Sequence, residues 1–116
     1  GISVTKTRGL KVTGYNPYQV FVKTTTVNLV NAASNTIPVE VVNVEATVYT
    51  AITGTITTST KALSTADQVI IGNTVANYTQ QVVEYNLRYF INGNDNRIAD
   101  KSGTFSTSVL YIAVPQ

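Results

Sequence analysis

The side chains that carry most enzyme and metal chemistry are scarce in this 116-residue chain, which contains no Cys and no His. Hydrolysis by general acid and base would therefore depend on paired carboxylates. Six acidic residues are present, and their local spacing indicates no shared site: Glu40, Glu45, Asp67, Glu84, Asp95 and Asp100. We expect surface charges and turn residues here, no catalytic residue and no enzyme activity.

Asn92, Asn94 and Asn96 alternate as the oxygen ligands of a calcium loop do. An EF-hand loop, however, needs carboxylates early, a Gly at its sixth position and a Glu at its twelfth, and this segment lacks that pattern. The dipeptide Asn92-Gly93 is typical of tight hairpin turns. We therefore expect a hairpin at residues 92–96, and neither a metal site nor a cofactor site.

Asn77-Tyr78-Thr79 is the one N-x-[ST] sequon in the sequence. Such a sequon accepts a glycan in a secreted protein and has no meaning in a cytosolic one. The chain begins at Gly1 without a basic segment followed by an apolar one, as expected if a signal peptide has been removed or if the sequence was cut at this point. We predict an extracellular or cell-surface protein with Asn77 as the candidate glycosylation site.

The polar character of the chain comes from uncharged side chains. Charged residues make up 12% of the sequence, about half the usual 25%, whereas Thr, Asn and Ser occur 19, 11 and 7 times. The longest apolar run, residues 109–114, is far shorter than the roughly 20 residues that cross a bilayer. The sequence therefore predicts no membrane span, and its Thr and Val content favours β-strands.

Basic residues are concentrated near the N-terminus. Lys6, Arg8, Lys11 and Lys23 all precede the first acidic residue, so residues 1–39 carry +4, while the rest has four basic and six acidic residues, or −2. A basic arm can bind nucleic acid. Because these charges are sparse and interleaved with β-forming residues, we expect no nucleic-acid partner and instead complementary charges between the two parts of the chain.

The first residues alternate as an extended strand with one apolar face. The apolar positions share one parity, with Lys6 and Arg8 as interruptions: Ile2, Val4, Leu10 and Val12. Residues 14–17 read Gly-Tyr-Asn-Pro, a strong turn signal. We therefore predict an extended N-terminal arm over residues 1–14 and a β-sandwich domain over residues 15–116.

Period-two patterning continues through the remaining chain. It predicts a long strand over 19–30, a strand over 37–51 with a β-bulge where the apolar parity changes near Val41 and Val42, and short strands near Ile56 and at 69–71. The most regular alternation has Val83, Tyr85, Leu87, Tyr89 and Ile91 facing a core, and Glu84, Asn86 and Arg88 facing water. The last strand, 104–114, becomes apolar on both faces, which is typical of a central strand or of one covered by a partner.

Seven to nine strands at this spacing without helices predict an all-β fold, an antiparallel immunoglobulin-like β-sandwich. The chain lacks the disulfide and core Trp of antibody domains. Aromatic residues must supply that core mass instead: Phe21, Tyr85, Tyr89, Phe105 and Tyr111.

This charge-poor, Thr- and Val-rich chain with its extended N-terminus resembles the secreted crenarchaeal filament subunits of the thread type. In that family the N-terminal arm of one subunit completes the sheet of the next. The resemblance implies an archaeal extracellular homopolymer without a cofactor, and it implies that Ile2, Val4, Leu10 and Val12 are the donated interface residues.

Residues 20–114 are also similar in rhythm to the desiccation-response domain of late-embryogenesis-abundant proteins. The similarity lies in a strand, a loop and a Pro-Val strand at residues 30–39, although the expected Asn-Pro dipeptide occurs only at residues 16–17. This second resemblance supports the sandwich fold.

Two functions remain open at this point. One is a structural subunit that polymerises by β-strand addition of its arm to another copy, an open interface that propagates into a filament. The other is a self-contained surface, pilus-head, viral-spike or desiccation-response-like binding domain in which residues 1–13 are an ordinary first strand. Both demand the same alternation, so the sequence predicts the strand and leaves its partner open.

Overall fold

A computed structural model of the protein describes residues 2–50, 56–93, 95, 97 and 104–116, with the side chains of residues 15, 16 and 75–81 outside the described part. Eight strands occupy these ranges: β1 Ile2–Thr24, β2 Asn28–Val30, β3 Thr36–Pro38, β4 Asn43–Val48, β5 Ile56–Thr58, β6 Thr60–Ala62, β7 Gln68–Ile91 and β8 Val109–Pro115. All strand pairings are antiparallel. One 3₁₀ turn, Val39–Val41, lies between β3 and β4. The predicted all-β antiparallel sandwich is confirmed.

Strands β1 and β7 are too long to be straight. At about 3.3 Å per residue, 23 residues of β1 would span roughly 75 Å, yet the longest dimension of the molecule is 52 Å. Each strand therefore bends, and its two halves contribute to different parts of the sheet system.

The pairing pattern divides the strands into two layers. In the first layer β6 pairs with β4, β4 with residues 85–90 of β7, and residues 81–91 of β7 with residues 2–14 of β1. In the second layer β5 pairs with residues 71–73 of β7, and residues 18–24 of β1 pair with β8. Strands β2 and β3 form a separate two-stranded sheet.

The core lies between these layers and draws residues from both. Its buried members are Tyr18, Val20, Val22, Val39, Val44, Ala46, Leu63, Ile70, Ile71, Val83, Tyr85 and Leu87. The hydroxyl groups of Tyr18 and Tyr85 lie 2.6 Å apart across the core, and those of Tyr89 and Tyr111 also lie 2.6 Å apart. Since each pair joins one layer to the other, the tyrosines fix the layers relative to each other. Burial of each aliphatic member contributes about 1.5–3 kcal/mol.

The apolar parity changes near Val41 and Val42 as predicted, but not through a β-bulge. The single strand predicted for 37–51 is wrong: β3 ends at Pro38, the 3₁₀ turn follows, and β4 begins at Asn43. The turn reverses the parity because it carries the chain from the small sheet into the main one. Val39 and Val41 are therefore both buried before the alternation of β4 starts.

Two predicted breaks are instead irregularities within continuous strands. β1 runs through residues 14–17, where its pairing with β7 shifts register between Gly14 and Asn16 and again between Asn16 and Tyr18. β7 likewise runs through Gly72 and Asn73, the residues predicted to end a short strand. Conversely, the strand predicted over 19–30 is interrupted after Thr24 and resumes as β2.

The alternation of residues 83–91 is confirmed only where the sandwich is thickest. Val83, Tyr85 and Leu87 are buried, while Tyr89 and Ile91, nearer the strand end, are half-buried. The prediction for the opposite face of β7 is wrong, because its side chains are half-buried rather than exposed: Glu84, Asn86 and Arg88. β7 lies between β1 and β4, and side chains from those neighbours cover its outer face.

The hairpin predicted at residues 92–96 lies partly outside the described residues, which do not include Asn94 and Asn96. Asp95 N–H donates to the Asn92 carbonyl oxygen at 3.2 Å, so a turn does follow β7. The next strand within the described ranges is β8, which pairs with β1 rather than with β7. β8 starts at Val109 instead of Thr104, and the turn predicted at 101–103 lies outside the described residues.

Candidate functional site

The predicted interface residues lie on the first half of β1, which pairs along β7 of the same chain. Residues 2–6 pair with 87–91, and residues 10–14 pair with 81–85. Ile2, Val4, Leu10 and Val12 stand opposite Ile91, Tyr89, Tyr85 and Val83, so all four share the face that β7 turns to the core. The structure therefore places these four apolar residues on one face of β1.

Exposure divides these four residues into two pairs. Leu10 and Val12 are half-buried against the core cluster, whereas Ile2 and Val4 are 62% and 48% exposed. None of residues 2–14, all of which the structure describes, is fully buried. The arm therefore lies on the sandwich without forming part of its buried core, and its first residues leave apolar surface uncovered.

A wide bulge interrupts the arm at Thr7, Arg8 and Gly9. Lys6 pairs with Leu87 and Leu10 with Tyr85, so three arm residues stand opposite Asn86 alone. Arg8 has φ 57°, in the left-handed region that costs energy for a residue with a side chain. A Cβ on Gly9 would lie 2.8 Å from the Lys6 Cβ and 3.0 Å from the Lys6 carbonyl oxygen, so this turn of the bulge needs glycine.

Arg8 makes three kinds of contact, two with β7 and one with Tyr49, which follows β4. Its backbone N–H donates to Asn86 Oδ1 at 3.0 Å. Its guanidinium donates through Nε to Glu84 Oε2 at 2.6 Å and through an Nη2 hydrogen to Glu84 Oε1 at 3.3 Å. The same group lies over the Tyr49 ring, 5.4 Å from its centroid. Such a two-pronged carboxylate contact fixes direction as well as distance.

The charges at this contact stabilise each other. The hydrogen bond from Arg8 holds the pKa of Glu84 below its ordinary value near 4.5, with the charge of Lys11 acting in the same direction. The same hydrogen bond raises the pKa of Arg8. Both groups therefore stay ionised across the physiological range. The expected complementarity between the basic N-terminus and the rest of the chain recurs where Lys23 lies 3.9 Å from Asp67.

A second polar contact holds the beginning of the arm. Arg88 on β7 donates to Ser3 Oγ at 2.9 Å and to Glu45 Oε1 at 3.5 Å, and its guanidinium lies 4.2 Å from the Phe90 ring centroid. Arg88 thus joins β4, β7 and the arm.

The arm and β8 border an open groove. Its volume is about 250 Å³, and it is lined by Leu10, Lys11, Val12, Thr13, Val20, Tyr111 and Ala113. Among the described residues, the arm pairs only with β7 and β8 pairs only with β1, so each has one edge without a neighbouring strand. β8 also exposes Leu110, Ile112 and Val114 on its outer face. β8, which is apolar on both faces, therefore lies at the edge of the sheet rather than at its centre.

Several of the remaining candidate residues lie outside the described part of the chain. Asn77 on β7 pairs with Asn16, but the Asn77 side chain lies outside the described part. Asn94 and Asn96 lie outside it entirely. Within the described residues, no three His, Cys, Asp or Glu side chains form a group able to hold a metal ion. In the same part of the chain, no helix is long and apolar enough to cross a membrane.

The sequence does not predict the contact that Arg8 makes with Tyr49, Glu84 and Asn86 of the same chain. In the sequence pattern Arg8 interrupts the apolar face, and Glu84 and Asn86 are predicted to face water. The available signal was the dipeptide Arg8-Gly9 inside an alternating segment, since a Gly within a strand pattern often marks a bulge.

Comparison with protein-family models, with curated proteins and with solved structures gave no match. The class of protein is therefore defined by the fold itself: an all-β antiparallel sandwich with an edge-bound N-terminal strand.

Proposed function

We propose that the protein is a non-enzymatic structural subunit of an extracellular filament or cell-surface appendage, and that it polymerises by donating residues 1–14 to another copy. In the assembled state the arm pairs with residues 81–91 of the neighbouring subunit, in the register that it has here within one chain. The resemblance to thread-type filament subunits implies the same mode of assembly.

The observation that carries this proposal is the position of the arm. It pairs with β7 on both sides of its bulge with its apolar residues on the core side, yet none of residues 2–14 is fully buried. Its ladder with β7 is irregular where the arm joins the domain, at residues 14–18. The arm can therefore leave its own β7 at that junction while Tyr18 and the later core residues stay in place.

The edges of the sandwich support association in general. β8 was expected to be either central or covered by a partner, and it lies at an edge with Leu110, Ile112 and Val114 exposed. Exposed apolar residues next to an unpaired strand edge favour pairing with another chain. In this proposal, the apolar outer face of β8 is covered by another chain.

A filament follows from the asymmetry of the exchange. The donated arm and the accepting edge of β7 are different surfaces, so one copy gives its arm in one direction and receives another from the opposite side. Each of the four apolar arm residues contributes about 1.5–3 kcal/mol if fully buried, in addition to the main-chain hydrogen bonds of the added strand.

The extracellular location and the glycan belong to the same proposal. The low charge content and the sequon at Asn77 support them. Mass spectrometry of the native protein tests the glycan: only unmodified peptide across Asn77 would remove this support.

Deletion of residues 1–13 and the substitution Val4→Asp test the assembly. Both changes should abolish fibres seen by electron microscopy, because they remove or charge the donated apolar face. Val27→Asp is the matched control, since Val27 is exposed and lies outside the arm. Normal fibres from the truncated or Val4→Asp protein would refute the proposal.

The second candidate function is a self-contained surface or binding domain. It is favoured by one observation, the pairing of the arm with β7 of its own chain. A parent protein that stays a stable monomer, with its arm on its own sheet, would establish this alternative.

A further inference from the structure

We propose that Arg8 is the residue by which a donated arm recognises its acceptor subunit, and that Glu84, Asn86 and Tyr49 of that subunit form its receptor. The partner is a second copy of this chain, so the inference rests on the strand donation proposed above.

The apolar residues of the arm cannot select a register alone. A slip of one residue turns them to the opposite face, but a slip of two keeps them on the core side. Because Ile2, Val4, Leu10 and Val12 are similar in size and chemistry, positions two residues apart are poorly distinguished. A subunit that accepts an arm in the wrong register would stop growth or produce an irregular fibre, so a unique contact is needed.

Arg8 supplies that contact because an acidic partner occurs once on β7. Glu84 is the one acidic residue in the β7 sequence, and Arg88 is its one basic residue. In the observed register the Arg8 guanidinium meets Glu84, and its N–H meets Asn86. A slip of two residues toward the end of β7 would set Arg8 opposite Arg88, and this repulsion disfavours the wrong pairing.

The receptor does not need the arm for its own construction. Tyr49 N–H donates to the Glu84 carbonyl oxygen at 2.9 Å, and Thr50 N–H donates to the same oxygen at 3.3 Å. Val48, which precedes Tyr49, pairs with Tyr85 in the β4–β7 ladder. The backbone positions of Glu84 and Tyr49 are therefore held by contacts that do not involve the arm, and they stay in place when the arm leaves.

The bulge presents Arg8 to this receptor. Thr7, Arg8 and Gly9 leave the regular ladder, and the Arg8 N–H turns to the Asn86 side chain instead of to a β7 carbonyl. The unfavourable φ of Arg8 and the glycine beside it are thus explained together, since both are needed to project one guanidinium at one place on the strand.

Complementary charge reversal on separate subunits tests the inference. In Arg8→Glu the arm carries the wrong charge and the receptor is intact, whereas in Glu84→Arg the receptor carries the wrong charge and the arm is intact. We expect each variant alone to lose fibres by at least about tenfold, because like charges meet at every joint. We expect an equimolar mixture to restore fibres of alternating composition, because every arm then finds an oppositely charged receptor.

The double variant Arg8→Glu with Glu84→Arg should also form fibres by itself. Arg97→Glu is the matched control, because Arg97 pairs with Asp95 through a similar two-pronged contact away from the arm, and this variant should polymerise normally. Circular dichroism of each single variant establishes that its domain is folded before mixing. If Arg8→Glu does not fold, Arg8→Gln takes its place as the arm variant.

The outcomes separate this inference from the strand donation itself. Parental fibre yield from the single variants, with arm deletion still abolishing fibres, would overturn recognition by Arg8 and leave donation intact. Rescue by the double variant without rescue by mixing would place the contact within one chain and refute both. Failure of both rescues would overturn the recognition role.

Discussion

The hydroxyl group of Tyr18 on β1 lies 2.6 Å from that of Tyr85 on β7, and both side chains are buried. The two residues come from opposite layers and are separated by 67 positions in the sequence. Each hydroxyl satisfies the other in a region where water is excluded, so the pair links the layers at a defined distance.

Removing both hydroxyl groups of this pair should cost less than the sum of removing each one alone. Tyr85→Phe leaves the Tyr18 hydroxyl buried without its partner, and Tyr18→Phe leaves the Tyr85 hydroxyl with Asn73 alone, so each should lower the free energy of unfolding by about 1–3 kcal/mol. The double variant should lose less than the sum of the two, because it leaves neither hydroxyl unpaired. Urea denaturation of the four proteins measures this coupling, and strictly additive losses would show that the hydroxyls do not interact.

Alkaline pH should destabilise the sandwich through its tyrosines. Burial, and next the hydrogen bond with Tyr18, raise the pKa of Tyr85 well above its ordinary value of 10.0, and burial and Tyr89 do the same for Tyr111. The stability that these groups provide is complete below their pKa in the unfolded chain, about 10, and it is lost as the pH rises above that value. Thermal melting as a function of pH, with phenolate absorbance recorded in parallel, should show the decline, whereas phenolate formation by all tyrosines near pH 10 without loss of stability would contradict it.

Leu87→Ala should destabilise the protein by about 2–5 kcal/mol, because it removes a buried side chain and leaves a cavity. Leu87 is 3% exposed and lies on the inward face of β7 between the first and second layers. Chemical denaturation measures the change. A melting curve like that of the parent would mean that this face of β7 does not contact the core.

Gly9→Ala should loosen the arm. The new methyl group would approach the Lys6 backbone to 3.0 Å, and overpacking of this kind costs about 1–3 kcal/mol. Amide hydrogen exchange in residues 2–6 should therefore become faster by roughly 5- to 150-fold, while exchange in the core strands stays unchanged. Gly14→Ala is the control, because a Cβ there meets no atom within 4 Å. Equal exchange in the two variants would show that the bulge does not constrain the arm.

Local alternation predicted much of this fold, and long-range pairing determined the rest. The inward residues Val83, Tyr85 and Leu87 follow from period-two patterning, because burial on one face selects every second side chain. Residues 14–17 carry strong turn residues and yet stay in β1, because pairing with β7 accommodates them as register shifts. The Arg8 contact depends on Glu84, 76 positions away, and no local pattern encodes that approach.

Disulfide trapping tests the central claim, that the arm is exchanged between subunits, most directly. The chain has no Cys, and Thr13 and Val82 are exposed partners in the arm–β7 ladder, so Thr13→Cys with Val82→Cys should form a bond across that ladder. The control is Gln19→Cys with Val114→Cys, partners in the β1–β8 ladder that stays within one chain. After oxidation of assembled fibres and denaturing electrophoresis without reductant, the account predicts a ladder of covalent multimers from the arm pair and monomers from the control. Monomers alone from the arm pair would show that each arm stays on its own β7 and would contradict the account.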